Sequence, residues 1–207
     1  MVEIKIVYID DNLDEQISEY IKEKYCTIAY TGKNPAQTVQ KSYDEVTFES
    51  SQGYKNLLYD IRARSANVIL IDNKLFTEDG AAQGKFSGKQ FKVISRKLLP
   101  FVVVLVISQD LVVTGDNIIK KFSGKNIGDS TSYYEENLGC MLDVAIEEVL
   151  EYMSLAEDLN KSADVEKVLI EKIAQSLKGE DSYDSLTKAD IDLLISSFKE
   201  LKNYGEH

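Results

Sequence analysis

Histidine is all but missing from this chain, and the single one, His207, is the last residue. Nucleophilic catalysis of the Ser/His or Cys/His kind needs an imidazole fixed beside the nucleophile, so most hydrolase chemistries are excluded. Cysteine is scarce as well. Cys26 and Cys140 stand far apart without a CxxC pattern or a Cys/His cluster, which argues against a zinc site and a disulfide framework and leaves both as small core hydrophobes. Basic residues are in deficit: 24 Lys and Arg against 35 Asp and Glu give a formal charge of -11. Such a field repels a polyanion, so no direct nucleic-acid binding is expected, and the 12 tyrosines read as core and interface residues rather than base-stacking platforms. No apolar run approaches the roughly 20 residues that cross a bilayer, and no signal-peptide pattern is read around Glu3. No membrane contact and a cytoplasmic location are therefore expected.

What is present is enough for one real core. With 207 residues, 43% of them hydrophobic, the chain divides into a domain over about 1–155 and a helical extension over 156–207. The run Ile4 to Ile9 reads as a buried strand ending in Asp10 and Asp11, and Val68 to Ile71 as another ending in Asp72. Phe101 to Ile107 is a third such run, closed by Ser108, and Asn117 to Lys121 is a weaker one. Helical spacing marks Leu13 to Tyr25, Tyr54 to about Arg64, and Phe91 to Leu98 before Pro100. Between them, Cys26 to Tyr30 and Val46 to Phe48 compete for the regular second strand, with Thr31 to Asp44 as an insertion or hairpin loop. Asn73 to Lys89 reads as a long loop on the functional face. A long helix follows from Tyr133 through Met153, with Ser132 and Glu135 as a capping box, and two further amphipathic segments cover Val165 to Leu177 and Ala189 to Leu201.

Carboxylates at the ends of two buried strands are the sharpest functional feature. In an open α/β sheet the carboxyl ends of parallel strands line the crevice where ligands bind, so Asp10, Asp11 and Asp72 predict one acidic, cation-binding site. The plainer alternative makes Asp11 or Asn12 the cap of the next helix, Asp72 a turn residue, and Ser108 a local backbone partner.

The order of these motifs resembles the receiver domain of two-component response regulators. Ile9-Asp10-Asp11-Asn12 follows the first strand and Leu70-Ile71-Asp72 the third, while Val106-Ile107-Ser108 and Asn117 to Phe122 match the fourth and fifth. The resemblance implies an α/β, flavodoxin-like, doubly wound parallel five-stranded sheet of order 2-1-3-4-5 with an α-helical C-terminal extension. It implies a phosphoprotein of two-component signal transduction in which Asp72 is the phosphoacceptor, Mg²⁺ is held by Asp10, Asp11, Asp72 and the backbone carbonyl of Lys74, Lys120 pairs with the phosphoryl group, and Ser108 turns toward it. The donor would be a histidine kinase or a small acyl phosphate, and a protein partner or a second copy of the chain would dock on the C-terminal helices.

Some residues depart from the family pattern. The connection from Ser108 to Lys120 is short for a full helix, Gln109 stands where a small residue is usual, and Lys121 takes the place of a proline, with Lys121 and Lys125 competing with Lys120. A degenerate receiver acting as a phosphorylation-independent interaction or dimerisation module is the alternative. An acid-site phosphohydrolase of the haloacid dehalogenase type fits poorly, because Asn12 stands where its second aspartate belongs.

Overall fold

The computed structural model describes residues 2–32, 38–49, 56–58, 60, 66–75, 87–99, 101–110, 118–123 and 128–161. Six strands form one sheet: β1 (Val2–Asp10), β2 (Tyr30–Thr31), β3 (Thr38–Thr47), β4 (Val68–Asp72), β5 (Val103–Ser108) and β6 (Ile118–Lys120), in the order β2-β3-β1-β4-β5-β6. Every neighbouring pair is parallel except β2 with β3. The expected five-stranded parallel sheet of order 2-1-3-4-5 is corrected to six strands in the order β2-β3-β1-β4-β5-β6, with one antiparallel pair. The extra strand is the short antiparallel β2, and of the expected loop over Thr31 to Asp44 the residues from Thr38 on belong to β3, while 33–37 lie outside the described residues. Cys26 lies in a 3-10 turn, Tyr25–Thr27, so only Tyr30 of the Cys26 to Tyr30 run enters the sheet.

Alternation along the strands builds two cores. Val7, Ile9, Ile69, Ile71, Val104 and Val106 face one side, together with Phe91. Ile4, Ile6, Tyr8, Val68, Leu70, Leu105 and Ile107 face the other, together with Ile17, Ile21, Tyr134 and Ile146. Apolar residues on both faces explain the unbroken hydrophobic runs of β4 and β5, since successive side chains of a strand point to opposite layers. Each fully buried Ile or Leu contributes about 1.5–3 kcal/mol relative to exposure.

The helices are cut short or extended by local chemistry. Helix α1 (Glu15–Glu19) starts at Asp14, whose carboxylate accepts from the Gln16 and Ile17 backbone N–H groups, and continues as a π-turn over Tyr20–Lys24. Helix α2 (Gly88–Leu98) opens with a capping box of Ser87 and Gln90. Helix α3 (Ser130–Tyr134) is capped by Asp129 rather than by Ser132, passes through a π-turn at Glu135–Gly139, and runs on as α4 (Cys140–Lys161). Helix α4 therefore crosses position 155 without a break. The predicted segments beyond it lie outside the described residues, as does most of the Tyr54 to Arg64 helix, of which 56–58 is helical. Among the described residues no helix is long and apolar enough to cross a membrane.

Candidate functional site

Parallel pairing brings the acids together. Ile9 of β1 lies opposite Ile71 of β4, so the next residue of each strand, Asp10 and Asp72, reaches the same carboxyl rim. Backbone bonds fix that rim: Asp10 O accepts from Phe48 N at 2.9 Å, Ile107 O from Asn73 N at 2.7 Å, and Ser108 O from Lys121 N at 3.0 Å. The last of these places Lys121 beside the carboxylates. Its Nζ lies 2.8 Å from Asp10 Oδ2 and 3.2 Å from Asp72 Oδ1, with the three side chains 8%, 2% and 9% exposed.

Lys121, not Lys120, therefore meets the carboxylates. Lys120 Nζ donates to the Asp110 carbonyl instead. Strand parity gives the reason and the signal that could have found it: Tyr8 and Leu70 share one core, two residues before Asp10 and Asp72, and Ile119 of β6 shares that same core two residues before Lys121. Lys120 has the parity of Ile118, which packs with the opposite core. Ser108 also has the opposite parity; it is 1% exposed, and its hydroxyl accepts from Asp110 N at 3.1 Å, the local role of the plainer alternative.

The carboxylates are further held by groups on their own strands. Tyr8 donates its hydroxyl to Asp10 Oδ2 at 2.5 Å, and Asn12 N donates to Asp10 Oδ1 at 3.1 Å. Lys74 N donates to Asp72 Oδ2 at 2.6 Å. Because Asp14 caps α1, neither Asp11 nor Asn12 is its helix cap. Tyr8 carried no signal beyond its place in an apolar run, where it reads as core; parity with Asp10 is what exposes its role.

Burial opposes ionisation of Asp10, yet the hydrogen bonds from Lys121 and Tyr8 outweigh it and hold the carboxyl below the usual aspartate range. Asp72 moves the other way: burial raises it, Lys121 counteracts, and the charge of Asp10 adds to the rise. Lys121 is penalised by burial, but its two carboxylate partners lift it above the usual lysine range. Burial and then the neighbouring Asp10 push the Tyr8 hydroxyl far up, which keeps it a donor.

An open cleft of about 530 Å³ lies over this rim, lined by Asp10, Asp11, Asp72, Lys74, Gln109 and Lys121 among others. Two carboxylates and one ammonium leave the trio with one net negative charge, and Asp11 adds another. The ligand atoms that these acids offer are oxygens, the type hard cations such as Mg²⁺ take. Among the described residues no group of three or more His, Cys, Asp or Glu side chains is placed to hold a metal ion, and the Lys121 ammonium stands between Asp10 and Asp72. Donor chemistry thus fits a hard cation, while the lysine already supplies one positive charge. No protein-family model matches the chain, and no curated protein matches it significantly.

Proposed function

We propose that the chain is a signalling receiver in which Asp72 takes a phosphoryl group from a phosphohistidine of a kinase or from a small acyl phosphate. The observation that carries this reading is the meeting of Asp10, Asp72 and Lys121 at one carboxyl rim, beneath an open cleft. Leaving aside the edge strand β2, the parallel strands run β3-β1-β4-β5-β6, which we read as the flavodoxin-like order with a hairpin strand added. Helices α1 and α4 then cover one face and α2 the other.

In the proposed reaction an Asp72 carboxylate oxygen forms a bond to phosphorus as the bond to the donor nitrogen or acyl oxygen breaks, and the leaving imidazole or carboxylate keeps the electron pair. The raised carboxyl of Asp72 makes it the more basic acid of the pair. Lys121, a flexible point charge, would shift from the carboxylates to a phosphoryl oxygen, with Phe122 in the position that the family gives to proline. Mg²⁺, held by Asp10, Asp11, Asp72 and the Lys74 carbonyl, would supply the positive charge that offsets repulsion between carboxylate and phosphate. The change would pass to a partner, or to a second copy, through the C-terminal helices.

One observation favours a second reading. Lys121 already bridges Asp10 and Asp72, as a fixed cation would in a degenerate receiver that binds partners without phosphorylation. Incubation with acetyl phosphate and Mg²⁺, followed by intact mass, separates the two. A gain of one phosphoryl group that is absent from Asp72→Asn supports the first reading; no gain with any donor, and no response to beryllofluoride, supports the second.

A further inference from the structure

A second cleft, of about 470 Å³, shares no lining residue with the first. Its walls come from the π-turn after α1, from β2 and β3, and from the π-turn that leads into α4. Lys41 enters it from β3. Only 9% of this residue is exposed, its ammonium lies 3.7 Å from the centroid of the Tyr25 ring, and among the described residues no carboxylate is within ion-pair reach of it. Burial depresses its basicity below the usual lysine range. The charge of Asp143 acts on this ammonium only beyond ion-pair distance and the ring face is its near contact, so burial is incompletely offset and a ligand anion would satisfy it.

The wall formed by the π-turn before α4 and by α4 itself is acidic. Asp143 accepts from the Tyr25 hydroxyl at 2.6 Å, and Glu135 is exposed at the rim. A simple anion would therefore meet two carboxylates, and a simple cation would be driven against Lys41. A molecule with both charges suits both walls. Tyr20, Tyr25 and Tyr30 supply aromatic surface between them, and the volume falls within the roughly 300–1,000 Å³ of small-ligand sites. Gly139 lets this wall close up, because a β-carbon there would lie 2.5 Å from the Tyr20 hydroxyl. The π-turns at both ends are a rare backbone form that is frequent at functional sites.

We infer that this cleft binds a free amino acid, its carboxylate toward Lys41, its ammonium toward Asp143 and Glu135, and its side chain against the tyrosines. This inference stands apart from the receiver reading. Equilibrium dialysis of the full chain against a panel of the standard amino acids tests it, the best binder then being compared with its decarboxylated amine and its deaminated acid. Both analogues are expected to bind at least about tenfold more weakly, the loss of one well-placed charge interaction. Lys41→Met should lose the amino acid to the same extent while folding at least as stably as the native chain, because an uncompensated buried charge is gone. Asp143→Asn should weaken the amino acid and spare the deaminated acid. The inference is overturned if no amino acid binds, if the deaminated acid binds as well as the parent, or if Lys41→Met binds like the native chain.

Discussion

Lys121 reaches Asp10 from the far side of β4, ammonium to carboxylate at 2.8 Å, and touches Asp72 on the way. Removing the lysine leaves two buried carboxylates facing each other. Lys121→Met is expected to cost about 3–5 kcal/mol in urea unfolding at neutral pH, the penalty for breaking a buried ion pair from one side. Lys120→Ala, which removes the bond to the Asp110 carbonyl and leaves the Asp10 and Asp72 carboxylates paired with Lys121, should cost less, about 0.5–1.5 kcal/mol for that bond. Equal losses in the two variants would contradict the assignment.

The same trio sets a pH dependence. Asp10 titrates below its ordinary 3.8 in the fold, so its contribution is present above 3.8 and is lost as pH falls from there through the lower folded value. Asp72 titrates above 3.8, so acid relieves part of its burial cost and blunts the acid loss. Lys121 is raised above 10.5, so its contribution is complete below 10.5 and is lost as pH climbs past its folded value. Buried tyrosines also weaken the fold in alkali. The difference between native and Lys121→Met stability curves isolates the lysine, and that difference should shrink at the alkaline end.

Tyr8→Phe keeps the ring in the core and removes the donor to Asp10, together with the longer bond, 3.4 Å, that the hydroxyl accepts from Asp14 N. A loss of about 1–3 kcal/mol is expected, with the Asp10 carboxyl moving up toward its ordinary value. Side-chain carboxyl NMR titration reads that shift directly; an unmoved Asp10 would mean that the hydroxyl does not support it.

Gly88 holds Asp72 in place by having no side chain. A β-carbon at this position would lie 2.7 Å from Asp72 O and 3.0 Å from Asn73 Cα, both backbone atoms. Gly88→Ala should destabilise by about 1–3 kcal/mol and shift the Asp72 and Lys74 amide resonances. Gly128→Ala provides the contrast, with open space around it but a φ of +93°, and should cost about 1–2 kcal/mol while leaving those amides unmoved.

Strands β1, β4 and β5 were legible in the sequence because both of their faces are buried, which leaves an apolar run that needs no context. Strand β3 was not. It pairs along its whole length with β1 but with β2 only at Thr38 and Val39, so its polar residues, Gln40, Asp44 and Glu45 among them, imitate a loop. The acids Asp10 and Asp72 followed from strand ends, while the lysine turned on a single step of strand parity in the three-residue β6. Asp129 displaced Ser132 as the cap because the helix starts three residues earlier than the apolar spacing indicated, at Ser130, with the Asp129 carboxylate accepting from Ser132 N. Lys41 left no trace in the sequence, since only the packing of Tyr25 beneath it makes that lysine unusual.

Tyr134 belongs to both halves of the molecule. Its hydroxyl accepts from the Phe122 N–H at 2.9 Å, one residue after Lys121, and its ring lies 6.1 Å from that of Tyr20. Tyr133 grips the residue on the other side, donating to Lys120 O at 3.2 Å. The backbone that carries Lys121 is thus pinned on both flanks by two adjacent tyrosines of α3, and the ring of the second leans on Tyr20, which lines the other cleft.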